Sequence, residues 1–426
     1  MPALAYRPRL LDHTLAELLA DLPAILLTGP RSTGKTTTAA RHARTILRLD
    51  RPEEAAVATA APDAILRGRD EPTLIDEWQA VPGILGAVKR AVDENPTPGR
   101  FLITGSAPAQ SDGALWPGTG RFVRVPMFGL TTRERRGAIE RPGFLDRLLC
   151  DGPEGLQDPG DAPDLRGYVE ELLVSGFPQP ALHLPPDRRR LWLESYLEQV
   201  VTRDAAPSGR DPVRLARYLD MVALHTGTVV DDATLYRAAG INSRSASAYD
   251  GLLADLSLVD AIPAWWTNRI KRLVQRPKRV LIDAGLAAAA IRVDTAAILR
   301  DGTLLGRLLE TFAINQLRAE LPAARTPARL FHLRTEQGRH EVDLVVEIPG
   351  QRFVAFEVKA TSAPGRDDAR HLFWLRDMLG DRLAAAVVLH TGARVFALGE
   401  RVVAVPVAAL WDDGLGAAGV PNPPLP

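Results

Sequence analysis

Short apolar runs alternate with helix-length stretches through the first third of the chain. AILLTG, RTILRLD, TLIDE, RFLITGS and RFVRVPM are each bounded by Gly, Pro or charge, as buried strands are, and the segments between them suit crossover helices. The alternation predicts an α/β domain over 1–150. The next segment, DGPEGLQDPGDAPD, is acidic and broken by Pro and Gly, which predicts a surface loop too polar to join a core. From 165 to 210 the pattern turns helical, and WLESYLEQVVTRD carries apolar positions at three- and four-residue spacing, as expected of a small lid. Over 211–300, ATLYRAAGINSRSASAYDGLLADLSLV reads as helix, Gly-Ile-Asn turn and second helix, a helix-turn-helix pattern. Alternation returns over 301–415, with a helix GRLLETFAINQLRAEL, strands EVDLVVEI and FVAFEVKA, a helix near HLFWLRDML and a strand AAAVVLHT. These predict a second, separate α/β domain. The tail, 416–426, is expected to be poorly ordered.

Composition narrows the function classes. With 426 residues, 46% hydrophobic and 24% charged, the chain is long enough for two to four packed domains. One cysteine, Cys150, excludes an intramolecular disulfide and a cysteine-rich metal site. The N-terminus lacks a secretion signal and no apolar run is long enough to span a bilayer, so a cytoplasmic location without membrane contact is expected. The 52 basic and 52 acidic residues cancel, so nucleic acid could be attracted only by a local patch.

GPRSTGKT, from Gly29 to Thr36, matches the P-loop pattern G-x-x-x-x-G-K-[ST], with an apolar strand before it and a helix-compatible TTTAARHAR after it. Gly29, Pro30, Arg31, Ser32, Thr33, Gly34, Lys35, Thr36 and Thr37 are therefore the candidate ATP-binding residues. A glycine-bearing loop running into a helix offers phosphates many backbone N–H donors pointing one way. Lys35 is expected at the β- and γ-phosphates and Thr36 on Mg²⁺. The strand TLIDE ends in Asp76 and Glu77, the first a candidate for holding Mg²⁺ through water and the second for polarising the attacking water. Ser106, after RFLITGS, stands where a polar sensor of the γ-phosphate is expected. Arg121, in PGTGRFVRVPMFGLTTRE, is a candidate finger acting in its own subunit or in a neighbour's, or else a plain surface arginine.

Taken in order, GPRSTGKT, TLIDEWQAVPGIL, FLITGS, GTGRFVRVPMFGLTTRE, SGFP and YLEQVVTRD resemble a prokaryotic AAA-type ATPase family with a C-terminal domain of unknown function. GINSRSASAYDGLLADLSLVDAIP, RPKRVLIDAGL, GRLLETF, HEVDLVVE and FEVKA look like that C-terminal region, so the resemblance covers nearly the whole chain. It implies an ATPase followed by a winged-helix element over 211–300 and a restriction-endonuclease-like α/β fold over 301–415. Two segments depart from the family's pattern. Ser175-Gly176 stands where Gly-Gly is usual, and Phe128-Gly129-Leu130 where Pro-Leu-Ser is usual.

Two further constellations carry chemistry. Between Ala261 and Ile282 the chain has Arg269, Lys271, Arg272, Arg276, Lys278 and Arg279 and no acidic residue. Beside a helix-turn-helix this suggests a wing that contacts DNA phosphates; a hairpin docked on another domain is the competing reading. Glu357 and Lys359 are two apart on one strand and share a face, with Asp343 on the preceding strand and Glu310 on a helix. That is the PD-(D/E)xK nuclease arrangement, in which Glu310, Asp343 and Glu357 would hold Mg²⁺ or Mn²⁺ and Lys359 would act on water. The leading expectation is Mg²⁺-dependent ATP hydrolysis coupled to DNA engagement, with metal-dependent cleavage left open and a homo-oligomer required if Arg121 acts between subunits. The rival is a nucleotide-dependent switch acting on protein partners.

Overall fold

The computed structural model describes residues 6–105, 118–265, 276–335 and 339–414. Ser106, Arg269, Lys271, Arg272 and the tail 416–426 lie outside the described residues.

Five parallel strands form the first sheet: β1 (Ala24–Thr28), β2 (Thr45–Arg48), β3 (Thr73–Asp76), β4 (Phe101–Gly105) and β5 (Val123–Pro126), in the order β2-β3-β4-β1-β5. The central strands β1, β3 and β4 are buried throughout, as strands covered on both faces must be. Period-two alternation divides them between two cores. Ala24, Leu26, Ile75 and Ile103 pack under the helix Ile84–Glu94, whereas Ile25, Leu27, Leu74 and Leu102 face Leu11, Leu15 and Leu19 of the helix Leu11–Asp21. All five strands point their C-terminal ends toward the loop after β1, the edge at which open α/β sheets bind ligands.

Beyond residue 143 an apolar cluster that runs from Phe144 to Trp411 includes residues on both sides of 210 and 300, and a second cluster holds Trp265, Phe331, Leu372 and Leu375. Three helices, Pro212–Leu224, Asp232–Ala238 and Ser243–Asp255, precede an antiparallel pair of β6 (Val259–Ile262) and β7 (Lys278–Leu281). Gly240 takes the left-handed conformation after the second helix, and Asn242 caps the third by accepting from Ser245 N–H. The second large sheet has the order β12-β13-β11-β10-β9-β8. Its strands are β8 (Arg329–Arg334), β9 (Glu341–Ile348), β10 (Arg352–Lys359), β11 (Leu383–His390), β12 (Phe396–Gly399) and β13 (Val402–Pro406). β8 to β10 form an antiparallel meander, and β11 returns parallel to β10 through the helix Arg370–Leu379. A long helix, Gly302–Glu320, covers the other face.

The polar loop between the two bodies joins the core after all. Leu156 is buried in it, and Asp158 accepts hydrogen bonds from Val395 N–H and Arg394, so a few side-chain anchors outweigh the loop's overall polarity. No helix among the described residues is long and apolar enough to cross a membrane.

Candidate functional site

The loop after β1 is shaped by two glycines at positive φ, a conformation that L side chains rarely adopt. Gly29 sits at φ +145°, and a Cβ there would lie 2.0 Å from the Met127 carbonyl oxygen. Gly34, at φ +93°, immediately precedes the helix Lys35–Ala40. Lys35 folds over the loop and donates to the Gly29 and Pro30 carbonyls at 2.9 and 2.6 Å, while Thr33 Oγ1 donates to Pro30 O. Burial lowers the Lys35 ammonium to about 8. Arg31 reaches out of the loop to Asp204, 3.1 Å away at the end of the segment WLESYLEQVVTRD.

The neighbouring strands supply the acidic side of the site. Asp76 Oδ1 accepts from Thr36 Oγ1 at 2.7 Å and from Thr104 Oγ1 at 2.6 Å, and Arg48 Nη1 stands 3.9 Å from Asp76 Oδ2. Thr36 and Asp76 thus bring hard oxygen donors together from two elements, a set that fits Mg²⁺. Glu77 occupies the left-handed region at φ 56°, an uncommon conformation for a glutamate and one that clusters at functional sites. Gln79 Nε2 donates to its carboxylate. Lys35, Thr36, Thr37 and Glu77 line a cavity of about 530 Å³ together with Leu130, Pro178, Leu182 and His183. That volume is in the range of nucleotide-sized ligand sites.

A residue with no sequence signal fastens this loop. Arg9, 5% exposed, donates to Thr33 O at 2.9 Å and to Phe128 O at 2.8 Å, and pairs with Glu134 at 2.9 Å. Glu134 belongs to the capping box that Thr131 forms at the start of the helix Thr132–Arg136. The same helix is tied to the C-terminal body: Gln316 accepts from Thr132 N–H at 2.7 Å, and Arg133 pairs with buried Glu320 at 3.2 Å. The two segments that depart from the family's pattern meet here. Leu130 N–H donates to Gly176 O at 2.6 Å, and a Cβ on Gly129 would come within 2.9 Å of that oxygen, so the two departures form one backbone contact.

Arg121 lies at the wrong end of the sheet to serve its own P-loop. Val123 is in register with Ile25, which sets Arg121 level with Pro23, six residues or roughly 20 Å before Gly29 at about 3.3 Å per residue. Its guanidinium pairs with Asp93 at 2.8 Å. Action in its own subunit is therefore excluded by the direction of β5.

Residues 21–135 match the family profile described as an AAA domain. The N-terminal part is thus an α/β domain with a parallel sheet and a P-loop, and it is similar to AAA domains. Residues 165–297 and 305–410 match two other profiles, each described as a domain of unknown function. Uncharacterised proteins of Mycobacterium bovis and Mycobacterium tuberculosis are each 29% identical to the chain over 408 residues, covering 94% of it and 83% of the relative. Among solved structures, a Walker-type ATPase of Pyrococcus abyssi aligns with TM-score 0.40 and 16% identity over 66% of this chain and 94% of its own. A RuvB variant of Thermotoga maritima aligns with TM-score 0.27 and 16% identity, over 59% and 89%.

The C-terminal constellation is assembled, but its place for a metal is filled. Lys278, expected on a DNA-contacting wing, is 1% exposed, with its ammonium 2.5 Å from Glu310 Oε1 and 3.7 Å from Asp343 Oδ1. Burial opposes the charge, yet the two carboxylates outweigh it and hold Lys278 above the ordinary lysine value. Asp343 Oδ2 accepts from Val358 N–H, and Glu357 Oε1 pairs with Lys359 at 2.7 Å. Burial, with the neighbouring Asp343 second, pushes Glu310 and Glu357 each up to about 8. Among the described residues no group of three or more His, Cys, Asp or Glu side chains is arranged to hold a metal ion. The set of Glu310, Asp343 and Glu357 therefore does not fit Mg²⁺ or Mn²⁺ as it stands, because the Lys278 and Lys359 ammonium groups sit among the carboxylates, on Glu310 Oε1 and Glu357 Oε1. Arg279, also expected on the wing, is turned inward to Asp232 and Asp250 at 2.6 and 3.0 Å. Arg276 is exposed and pairs with Asp231 at 2.7 Å.

The buried state of Lys35 has a pH signature. A lysine expected to meet ATP phosphates must do so as an ammonium, and the free protein holds that form only below about pH 8. ATP affinity should be full below pH 8 and fall as pH rises through it, by roughly tenfold per further unit, or about 1.4 kcal/mol. Titration calorimetry between pH 7 and 9.5 checks this. A flat profile would refute the role of the lysine charge.

Proposed function

We propose that the protein binds Mg-ATP in the cavity above β1 and hydrolyses it, using conformational change in the lid and C-terminal body as its output. The observation that carries the reading is the convergence of Thr36 and Thr104 on Asp76, beside Lys35 and Glu77, in a cavity of nucleotide size. Backbone N–H groups of the loop from Gly29 to Thr37 cradle the phosphates and Lys35 supplies positive charge at the β- and γ-groups. Thr36 and Asp76 would hold Mg²⁺, whose charge would offset that on the phosphates. Glu77 orients and polarises the attacking water, and Gln79 positions Glu77.

A nucleotide-dependent switch is the better account of what hydrolysis does. The P-loop is joined through Arg9 to Glu134, and the helix carrying Glu134 is joined to Gln316 and Glu320 of the C-terminal body. DNA cleavage is disfavoured by the ammonium among the carboxylates. DNA engagement through the winged-helix part rests on Arg276 together with Arg269, Lys271 and Arg272, since Lys278 and Arg279 are engaged inside the protein. A finger role for Arg121 requires a neighbour's site; a native mass that stays monomeric with ATP would remove it.

Equilibrium binding of a fluorescent ATP analogue tests the central claim. Lys35→Ala should weaken binding at least a hundredfold, because backbone donors alone cannot replace a charge placed among phosphates. Equal affinity in Lys35→Ala and the unsubstituted protein would overturn the assignment.

A further inference from the structure

The loop after β1 carries two cations, and both are engaged within the chain. Lys35 donates to the Gly29 and Pro30 carbonyls, while Arg31, two residues after Gly29, pairs with Asp204 at 3.1 Å. Both line the nucleotide-sized cavity. Their engagements differ in strength. Lys35 is buried against the loop's own carbonyls, whereas the Arg31 side chain is 51% exposed and its partner 19%. An ion pair that open to solvent contributes little and is screened by salt, so Arg31 is free to move to a stronger acceptor. Burial lowers the Lys35 ammonium first of all, Glu77 opposes this, and the charge of Arg31 adds to it. Two like charges that feel each other across one cavity wall favour an anion that can meet both.

Asp204 is placed to let go. It ends a π-helical turn, Val200–Asp204, that extends the helix Pro186–Gln199, and such turns are rare and frequent at functional sites. A carboxylate at the C-terminal end of a helix meets the negative pole of the backbone dipoles, so it calls for a cation or a donor. On the same helix the Tyr196 hydroxyl is buried without a hydrogen-bond partner among the described residues, in a residue 8% exposed. Burial raises its pKa above the ordinary tyrosine value, Asp204 adds to the rise and Arg31 opposes it, so the hydroxyl stands in the field of both partners. A buried donor without an acceptor costs free energy, and an Asp204 freed of Arg31 is an acceptor on its own helix.

We propose that Arg31 distinguishes a nucleoside triphosphate from a diphosphate: its guanidinium leaves Asp204 for the terminal phosphate, and Asp204 holds it in position until then. The inference rests on ATP binding at this loop. A guanidinium meets a phosphate through two charge-assisted hydrogen bonds, which a diphosphate, one phosphate shorter, does not offer at that point. Arg31 thus supplies within its own subunit the charge that Arg121, at the far end of the sheet, cannot. Triphosphate releases the helix Pro186–Gln199 from the loop, and diphosphate leaves the tie in place.

Titration calorimetry of the full-length chain with Mg-AMP-PNP, a triphosphate analogue that resists hydrolysis, and with Mg-ADP gives two affinities whose ratio tests the proposal. Arg31→Ala should lower that ratio at least tenfold, and Arg31→Lys should recover it only in part, because an ammonium keeps the charge without the fork. Asp204→Asn should raise the ratio about threefold, since a half-exposed pair no longer competes for the guanidinium. Arg31→Ala/Asp204→Asn should show the ratio of Arg31→Ala alone, an outcome that a merely structural role for Asp204 would not give. Binding of neither nucleotide by the unsubstituted protein overturns the ATP reading and the proposal together. Binding of both, with the ratio unchanged in Arg31→Ala, leaves the ATP reading standing and overturns the proposal, as does a gain from Asp204→Asn that persists without Arg31.

Discussion

Glu77→Gln should bind ATP as tightly as the unsubstituted protein and hydrolyse it about a hundredfold or more slowly in a single turnover. The substitution keeps the size of the side chain and leaves Thr36, Asp76 and Lys35 untouched, so the phosphate cradle survives. What it removes is the anionic oxygen that can polarise water. Because Gln79 holds that carboxylate and φ at residue 77 is 56°, the group is set by its surroundings rather than free to wander. Rapid-quench measurement of one turnover with radiolabelled ATP separates chemistry from product release. An unchanged single-turnover rate would take Glu77 out of the reaction and leave the site a nucleotide holder.

The parts of this site that can be read from the sequence are those whose signal is local. A glycine loop between a strand and a helix announces itself within eight residues, and the strand that ends in Asp76-Glu77 does so within five. The central strands of the first sheet, β1, β3 and β4, are legible because burial on both faces leaves them almost wholly apolar. β8, β12 and β13 go unpredicted: RLFHLR is interrupted by His332, and β12 is a short edge strand. Leu156 escapes because one anchor in a polar loop carries no period.

Lys278 and Arg279 show the opposite failure, a local signal that misleads. A run of basic residues ordinarily means a solvated face, and these two sit in such a run. The clue lies in the apolar residues after them: KRVLI has no polar alternation, as in a strand buried on both faces, and its cations are buried with it. Their partners come from elsewhere along the chain, Glu310 and Asp343 for one and Asp232 and Asp250 for the other. Arg121 is legible as a candidate but not as to its reach, since only the register of β5 against β1 shows which end of the sheet it occupies.

Arg9 is the residue whose loss should be felt most widely, although nothing near it in the sequence marks it. Its guanidinium pairs with a glutamate 125 positions away and donates to three carbonyls, those of Thr33, Phe128 and Gly129. Arg9→Ala should lower stability by about 3 kcal/mol, the lower end of the cost of breaking a buried pair, because Glu134 keeps its bonds from Leu10 and Thr131 N–H. ATP binding should weaken as well, since the carbonyl of Thr33 is then free to turn the loop's N–H groups away from the phosphates. Arg9→Lys should recover the charge but not the fork of contacts, and so fall between the two. The pair of readouts distinguishes the roles: a urea midpoint lowered with ATP affinity intact would make Arg9 a fastener of the fold alone. A midpoint and affinity both unchanged would mean that the P-loop keeps its shape without Arg9, and that the link from Thr33 through Glu134 to the C-terminal body is not the path by which nucleotide is sensed.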